Sequence, residues 1–238
     1  MRDGASMGND NTAVGYQALE DVYGSGNTAV GRDAGEDMTS GTRNVVIGKD
    51  AANNINTAAD CVIIGERAGQ YNTSGSYNVF IGHDSGDTCI SGQQNICIGA
   101  FSKTSSSTAN TEITLGTTNH TTLRCNQTSI TALSDRRDKT DINTLDLGLD
   151  FINELKPVKF KWQSREGIGK DGTYEAGFIA QDFQQVQKDN DAEYLNMVLE
   201  SDPDKLEAAP GKLLPILVRA VQELSAELNT LKNTLNNG

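Results

Sequence analysis

A five-residue motif that ends in glycine recurs seven times in the first half of this 238-residue chain. The copies occupy residues 11–15, 27–31, 44–48, 61–65, 78–82, 95–99 and 112–116. After one step of 16 residues, successive closing glycines are always 17 residues apart. A period of 17 is too short for a helical repeat and is typical of one coil of a parallel β-solenoid. The repeat therefore predicts stacked β-solenoid coils over residues 1–116.

Two columns of the motif are suited to one face of a strand. The residue before the closing glycine is always aliphatic, and the residue three places before the glycine is always β-branched. Residues two apart in a strand point the same way, so we expect these two columns to line the core. The column between them is largely apolar and would point outward: Ala13, Ala29, Val46, Ile63, Phe80, Cys97 and Thr114. Because a monomer would leave that stripe in water, we predict that it packs against sister chains in a homotrimer.

The composition changes near residue 134, which predicts two domains of different construction. Seventeen of the 24 glycines precede residue 134, whereas all four prolines and the single tryptophan follow it. Residues 117–133 are predicted to form transition strands, and residues 134–238 to form an α+β domain. There the patterns predict a helix over 144–156, a hairpin over 158–162 and 174–180, and a polar helix over 181–190. A 4,3,4,3,4 spacing predicts a coiled coil at about 212–237, with its seam at Leu217, Val221, Leu224, Leu228, Leu231 and Leu235.

The segment from Ser134 to Ile142 reads Ser-Asp-Arg-Arg-Asp-Lys-Thr-Asp-Ile. It resembles the start of the self-cleaving intramolecular chaperone domain found at the C-termini of phage tailspikes and tail fibres, whose pattern is Ser-Asp-x-Arg-x-Lys-x-x-Ile. Three later stretches agree with that family, at 155–162, 177–182 and 214–224. The glycine-closed repeat, in turn, resembles the head repeats of trimeric autotransporter adhesins, which are left-handed β-rolls joined as trimers.

The chaperone resemblance implies a function for residues near the junction. Ser134 would be the nucleophile that cleaves the chain between Leu133 and Ser134, and Lys139 would take the hydroxyl proton. Asp135 and Arg137 would support this pair. A five-residue offset is about 140° around an α-helix, so either a turn or a lysine from another chain must bring the dyad together. Whether the chain is an active endopeptidase is left open.

Composition argues against several other functions. The formal net charge of −12 disfavours a nucleic-acid partner, and the sequence has no run of 18 apolar residues that would span a membrane. The four cysteines form no CxxC pair and only two histidines accompany them, so no metal site, no cofactor and no disulfide framework is predicted. Asp33, Asp50 and Asp84 recur two residues after closing glycines, and a charge ladder, a cation site and solvated turns are all compatible with that spacing.

These observations together predict the C-terminal part of a phage tail fibre or spike. Its expected partners are two sister chains, an upstream region of the fibre, and an unidentified receptor or glycan on the host surface. The expected location is the virion, after assembly in the host cytoplasm. Two alternatives remain. An uncleaved adhesin with an inactive chaperone is favoured by Asp138, where the family usually has an apolar residue, and a structural spacer is favoured by the plain repeat loops.

Overall fold

A computed structural model describes residues 8–117, 119–120, 122–126, 130–163 and 172–237. The chain divides into two compact units, Met1–Thr121 and Thr122–Gly238. Within the described residues, the first unit contains one short strand in each repeat, and the second contains helices and two small antiparallel sheets. None of the described helices is long and apolar enough to cross a membrane.

The first unit is a parallel β-solenoid, as the repeat predicts. Seven strands of three residues pair in chain order in a single parallel sheet. Each residue pairs with its equivalent in the next coil, so that Val45 is opposite Val62 and Val62 is opposite Val79. The strands are β1 (Thr12–Val14), β2 (Thr28–Val30), β3 (Val45–Ile47), β4 (Val62–Ile64), β5 (Val79–Ile81), β6 (Ile96–Ile98) and β7 (Ile113–Leu115).

The strand face that points inward is the opposite of the predicted one. The middle column is buried completely at five successive coils: Ala29, Val46, Ile63, Phe80 and Cys97. The two flanking columns are partly exposed, with Val30 37% exposed and Ile98 40% exposed. The period of two correctly placed the flanking columns on one face, but it carries no information about which face is inside. The interior is narrow and also receives turn residues such as Ala34, Ala51 and Met38, so one strand residue per coil fills it.

The expected packing of the middle column against sister chains is therefore wrong, because that column is the core of its own chain. The partly exposed surface is instead made by the flanking columns, and we call it the apolar stripe. Its members from β2 to β7 are Thr28, Val30, Val45, Ile47, Val62, Ile64, Val79, Ile81, Ile96, Ile98, Ile113 and Leu115.

A ladder of buried asparagines holds the coils together, and the sequence patterns did not predict it. Asn27, Asn44, Asn78 and Asn95 begin their repeats and are fully buried. The Asn44 side chain accepts the backbone N–H of Cys61 at 3.0 Å and donates to the carbonyl of Ala58 at 2.9 Å. Each such side chain thus satisfies backbone groups of the next coil that would otherwise be buried without a partner.

Cys61 occupies the asparagine position of its own coil. Its thiol lies 3.3 Å from the carbonyl oxygen of Gly75, where the other coils have an amide donor. Burial raises the pKa of this thiol to about 11, which keeps it protonated and unreactive at neutral pH. Cys89 and Cys97 are also free and buried, whereas Cys125 is free and exposed.

The aspartates that follow the closing glycines occupy a left-handed corner of the coil. Asp33, Asp50 and Asp84 have φ between 52° and 56°, a conformation that aspartate tolerates better than most residues. Asp33 and Asp84 are buried instead of solvated, and Asp84 lies 2.6 Å from the Arg67 guanidinium of the preceding coil. Among the described residues, no group of three His, Cys, Asp or Glu side chains could hold a metal ion.

The described part of the second unit contains three α-helices around a separate apolar core. Phe151, Phe183, Met197 and Ile216 are its most buried large side chains. The elements are α1 (Leu149–Glu154), β8 (Val158–Lys161), β9 (Tyr174–Gly177), α2 (Ala180–Asp189), β10 (Val198–Leu199), β11 (Glu207–Ala208) and α3 (Leu214–Asn236). The predicted α+β construction and the long terminal helix are both confirmed.

Helix α1 is much shorter than the predicted helix over 144–156. The Glu223 carboxylate on α3 accepts the N–H of Leu149 at 2.7 Å, which caps the helix at this point. A side chain at Gly148 would collide with that carboxylate, since a Cβ there would lie 2.1 Å from Glu223 Oε2. Leu155 is already extended ahead of Pro157, which ends the helix. The cap comes from a residue 74 positions away, so local periodicity could not locate it.

Candidate functional site

The segment that begins at Ser134 forms a tight turn. Asp135 is the N-cap of a single 3₁₀ turn, Arg136–Asp138, and its carboxylate accepts the N–H of Arg137 at 2.9 Å. The N–H of Lys139 donates to the carbonyl of Arg136 at 3.2 Å, and Lys139 itself is extended. The chain therefore reverses over three residues and does not continue as an α-helix.

This turn brings Lys139 back to Ser134 within one chain. Lys139 Nζ lies 2.5 Å from Ser134 Oγ and 3.4 Å from the carbonyl oxygen of Ser134. The 140° offset that separates the two side chains on an α-helix does not apply, because the intervening residues are not α-helical. Of the two arrangements left open by the sequence, the single-chain turn is the one present in the structure.

The supporting residues Asp135 and Arg137 form an ion pair across the turn. Arg137 Nη2 lies 2.6 Å from Asp135 Oδ2, and Arg137 Nε lies 3.1 Å from Asp135 Oδ1. Hydrogen bonding to Arg137 lowers the pKa of Asp135, and the carboxylate raises the pKa of Arg137 in turn. Both groups are exposed to solvent, so the pair contributes mainly to the shape of the turn.

The peptide bond before Ser134 is open to solvent. Residues 130–135 have no regular structure, and the Leu133 side chain is fully exposed. Ser134 and Lys139 are exposed as well. A lysine acts as a base only when it is neutral, and burial is one way of favouring the neutral form. The described part of a single chain does not bury Lys139, so any burial of this amine would have to come from outside that part.

Helix α3 carries a second exposed feature of the unit. Ile216 and Ala220 are buried against the unit's own core, which fixes one face of the helix. The predicted seam lies outside that core, and all six members are exposed apolar side chains: Leu217, Val221, Leu224, Leu228, Leu231 and Leu235. We call this row the leucine seam. A helix with an unpaired row of this spacing is typical of one strand of a coiled coil.

Comparison with known proteins identifies the segment that holds the turn. The family described as chaperone of endosialidase has a model that matches residues 134–192. The match therefore starts at Ser134 and ends before α3, so residues 193–238 lie outside it. No curated protein and no solved structure matches the chain. From Ser134 to residue 192 the chain is thus similar to the chaperone of endosialidase family, and this segment follows a β-solenoid of 17-residue coils.

Proposed function

We propose that this chain is the C-terminal part of a trimeric phage tail fibre or spike. Residues 134–238 would align three chains and then detach from the solenoid by cleaving the bond between Leu133 and Ser134. The observation that carries this proposal is the contact of Lys139 Nζ with Ser134 Oγ at the first residue of the matched segment. A hydroxyl and an amine within hydrogen-bond distance are the two groups that a serine–lysine dyad requires.

The proposed cleavage proceeds by attack of Ser134 on its own upstream carbonyl. Neutral Lys139 removes the proton from Ser134 Oγ, and the oxygen forms a bond to the carbonyl carbon of Leu133. The bond from that carbon to the Ser134 nitrogen then breaks, and the nitrogen receives the proton from Lys139. Water hydrolyses the resulting ester, which leaves a carboxylate on Leu133 and restores the hydroxyl of Ser134. Nucleophile and carbonyl belong to adjacent residues, so no separate binding step is needed.

Two exposed apolar surfaces support the homotrimer. The apolar stripe runs along the solenoid from β2 to β7, and soluble monomers rarely leave such a surface in water. The leucine seam extends over three heptads of α3, a length that is marginal for an isolated coiled coil. Three copies that also associate through their solenoids would stabilise the same assembly from both units. A sister chain is the proposed occupant of both surfaces. Each surface is a regular row of apolar side chains, and an identical chain carries a row with the same spacing.

Because Ser134 and Lys139 are exposed in a single chain, we expect cleavage to depend on assembly of the trimer. A sister chain packed near the junction would bury Lys139, and burial favours the neutral amine that acts as base. Premature cleavage of unassembled chains would then be avoided. The freed solenoid trimer would be difficult to unfold, because its folding aid has left. Its proposed location is the virion, where the solenoid meets a receptor or glycan of the host.

The test is mass spectrometry of the purified chain after full denaturation. Two fragments with a boundary between Leu133 and Ser134 are expected from the parent, and one intact chain is expected from Ser134→Ala. Lys139→Ala should also remain intact, whereas Ser201→Ala, at another exposed serine, should cleave like the parent. Fragments from Ser134→Ala, or an intact parent, would contradict self-cleavage.

The second candidate is an uncleaved trimeric adhesin, which Asp138 favours because this family usually has an apolar residue there. Asp138 is the last residue of the 3₁₀ turn and is exposed. An intact parent that is still trimeric would support this candidate. Asp138→Leu should then restore cleavage if the acidic side chain is the cause.

A further inference from the structure

A groove lies on the wall of the solenoid, and none of its described lining residues belongs to the apolar stripe. Its volume is about 630 Å³, within the range of about 300–1,000 Å³ common for small-molecule sites. Tyr71 and Ile90 provide its apolar surface, and Asn54, Thr73, Asp87 and Thr88 provide polar groups. These side chains come from three successive coils.

The groove residues point outward because of a simple alternation. Tyr71 and Thr73 flank Asn72, which is fully buried, and Thr88 and Ile90 flank Cys89, which is also fully buried. Relative to the closing glycines, the outward residues lie six and eight places later, whereas the apolar stripe lies one and three places before. Assembly through the apolar stripe would therefore use different residues from those that line the groove.

Tyr71 interrupts an otherwise polar column. The equivalent residues of the other coils are Asp21, Asp37, Asn54, Thr88 and Ser105. The core does not require a ring at this position, since Tyr71 is 50% exposed and neighbouring Ile90 is 46% exposed. An exposed aromatic ring beside hydroxyl, amide and carboxylate groups can stack on the C–H face of a sugar ring while the polar groups bond to its hydroxyls.

The scaffold holds the groove in one shape. The N–H of Thr73 donates to the carbonyl of Ile90 at 2.8 Å, and the N–H of Ile90 donates to the carbonyl of Ser107 at 2.9 Å. The hydroxyl of Thr88 lies 2.9 Å from that of Thr104. Backbone rungs and side-chain bonds thus order the surface before any ligand arrives, which lowers the entropic cost of binding.

We propose that this groove binds a neutral oligosaccharide, with one sugar ring stacked on Tyr71. The inference rests on the proposed host-surface function and names the chemical class of the receptor. Among the described residues that line the groove, Asp87 alone is charged, and the chain has a formal net charge of −12, so acidic glycans would be repelled. The Asp87 carboxylate also lies 3.4 Å from Lys103 Nζ.

The test is binding of the full chain to a printed array of neutral and acidic glycans. Binding to neutral members is expected, with a loss of about tenfold or more for Tyr71→Ala, since that change removes the stacking surface. Tyr71→Phe should retain most of the binding. Tyr23→Ala is the matched control, because Tyr23 is a similarly exposed solenoid tyrosine outside the groove.

Three outcomes would overturn the inference: no binding to any neutral glycan, binding restricted to acidic glycans, or an equal loss for Tyr71→Ala and Tyr23→Ala. The same preparations should be examined by mass spectrometry and sedimentation. A cleaved trimer that fails to bind neutral glycans would overturn the groove alone. An intact monomer would instead contradict the proposed function, whatever the array shows.

Discussion

The two units of this molecule obtain their structure in contrasting ways. In the solenoid every coil makes nearly the same contacts. Val45 pairs with equivalent residues of the coils on both sides, so a pairing shifted by one coil would be almost as favourable as the correct one. In the second unit each contact is unique, as with Glu223 and the N–H of Leu149. A repeating unit is regular but cannot define its own register between chains. A non-repeating unit can, which is why we propose that residues 134–238 align the chains.

The largest expected effect is the loss of assembly when the second unit is missing from the start. A chain that ends at Leu133 should give a yield of soluble trimer that is lower by about tenfold or more, because the repeating coils alone do not fix the register between chains. Sedimentation after expression measures this yield. Ser134→Ala, which keeps the second unit attached, is the control and should trimerise normally. An equal yield from the shortened chain would show that the solenoid aligns itself.

The next effect concerns the regular core of the solenoid. Gly86 has φ 71°, and a Cβ there would lie 2.4 Å from the Phe80 ring. Gly86→Ala combines overpacking with backbone strain, so the free energy of unfolding should fall by about 2–4 kcal/mol. Denaturant unfolding measures the change. Gly211→Ala is the matched control, because a Cβ at Gly211 has no atom within 4 Å; a similar loss there would refute the explanation.

The asparagine ladder should matter slightly less than that glycine. Asn44→Ala leaves the N–H of Cys61 and the carbonyl of Ala58 without their side-chain partner. The free energy of unfolding should fall by about 1–3 kcal/mol for these buried groups. Asn143→Ala, at an exposed asparagine of the second unit, should change little. Equal values for the two variants would mean that the ladder does not stabilise the coils.

An asparagine at the Cys61 position would complete the asparagine ladder. It should raise the free energy of unfolding by a smaller amount than the loss of Asn44 lowers it. Cys61→Asn introduces an amide oxygen in place of the thiol that accepts the backbone N–H of Asn78, as the Asn44 side chain does for the N–H of Cys61. One neutral hydrogen bond gained should raise the free energy of unfolding by about 0.5–1.5 kcal/mol. Thermal unfolding provides the measurement, with Cys61→Ala as the comparison that removes the thiol without adding an amide. A decrease for Cys61→Asn would contradict the equivalence of the coils.

The smallest predicted effect lies in the second unit, at the turn before Lys139. Hydrogen bonding to Arg137 lowers the pKa of Asp135. The ionised carboxylate therefore stabilises the turn fully at pH values above the ordinary pKa of aspartate. This stabilisation is lost as the pH falls through the lowered pKa of Asp135. Asp135→Asn should slow self-cleavage by about threefold at neutral pH, since exposed pairs contribute little. A time course of fragment formation measures the rate. In Asp135→Asn the decline in the cleavage rate at acid pH that protonation of this carboxylate causes should be absent.

Sequence patterns predicted the repeating unit better than the site. The period of 17 and the β-branched columns were enough for the solenoid, because each coil repeats the same short-range constraints. They failed on the inward face, since alternation is symmetric with respect to inside and outside and Phe80 could only be placed once the coil was closed. The asparagine ladder joins residues 17 apart through backbone groups, which a list of side chains does not show.

The candidate site was predicted only as far as its residue types. Ser134 and Lys139 came from a family resemblance, and their separation of five residues left two arrangements open. The 3₁₀ turn depends on the Asp135 cap and its pairing with Arg137, which are local but have no periodicity. The predicted length of helix α1 was too great for a different reason. Its start depends on a long-range contact with Glu223, 74 positions away in the chain.

The alternation around Asn72 and Cys89 also has an evolutionary consequence. Buried residues at these corners maintain the coil, while their immediate neighbours, such as Tyr71 and Ile90, face outward and have no part in the core. Mutations at the outward positions can therefore change the surface chemistry without a cost in folding. A lineage built on this scaffold can explore new binding preferences one coil at a time, with the stack beneath left unchanged.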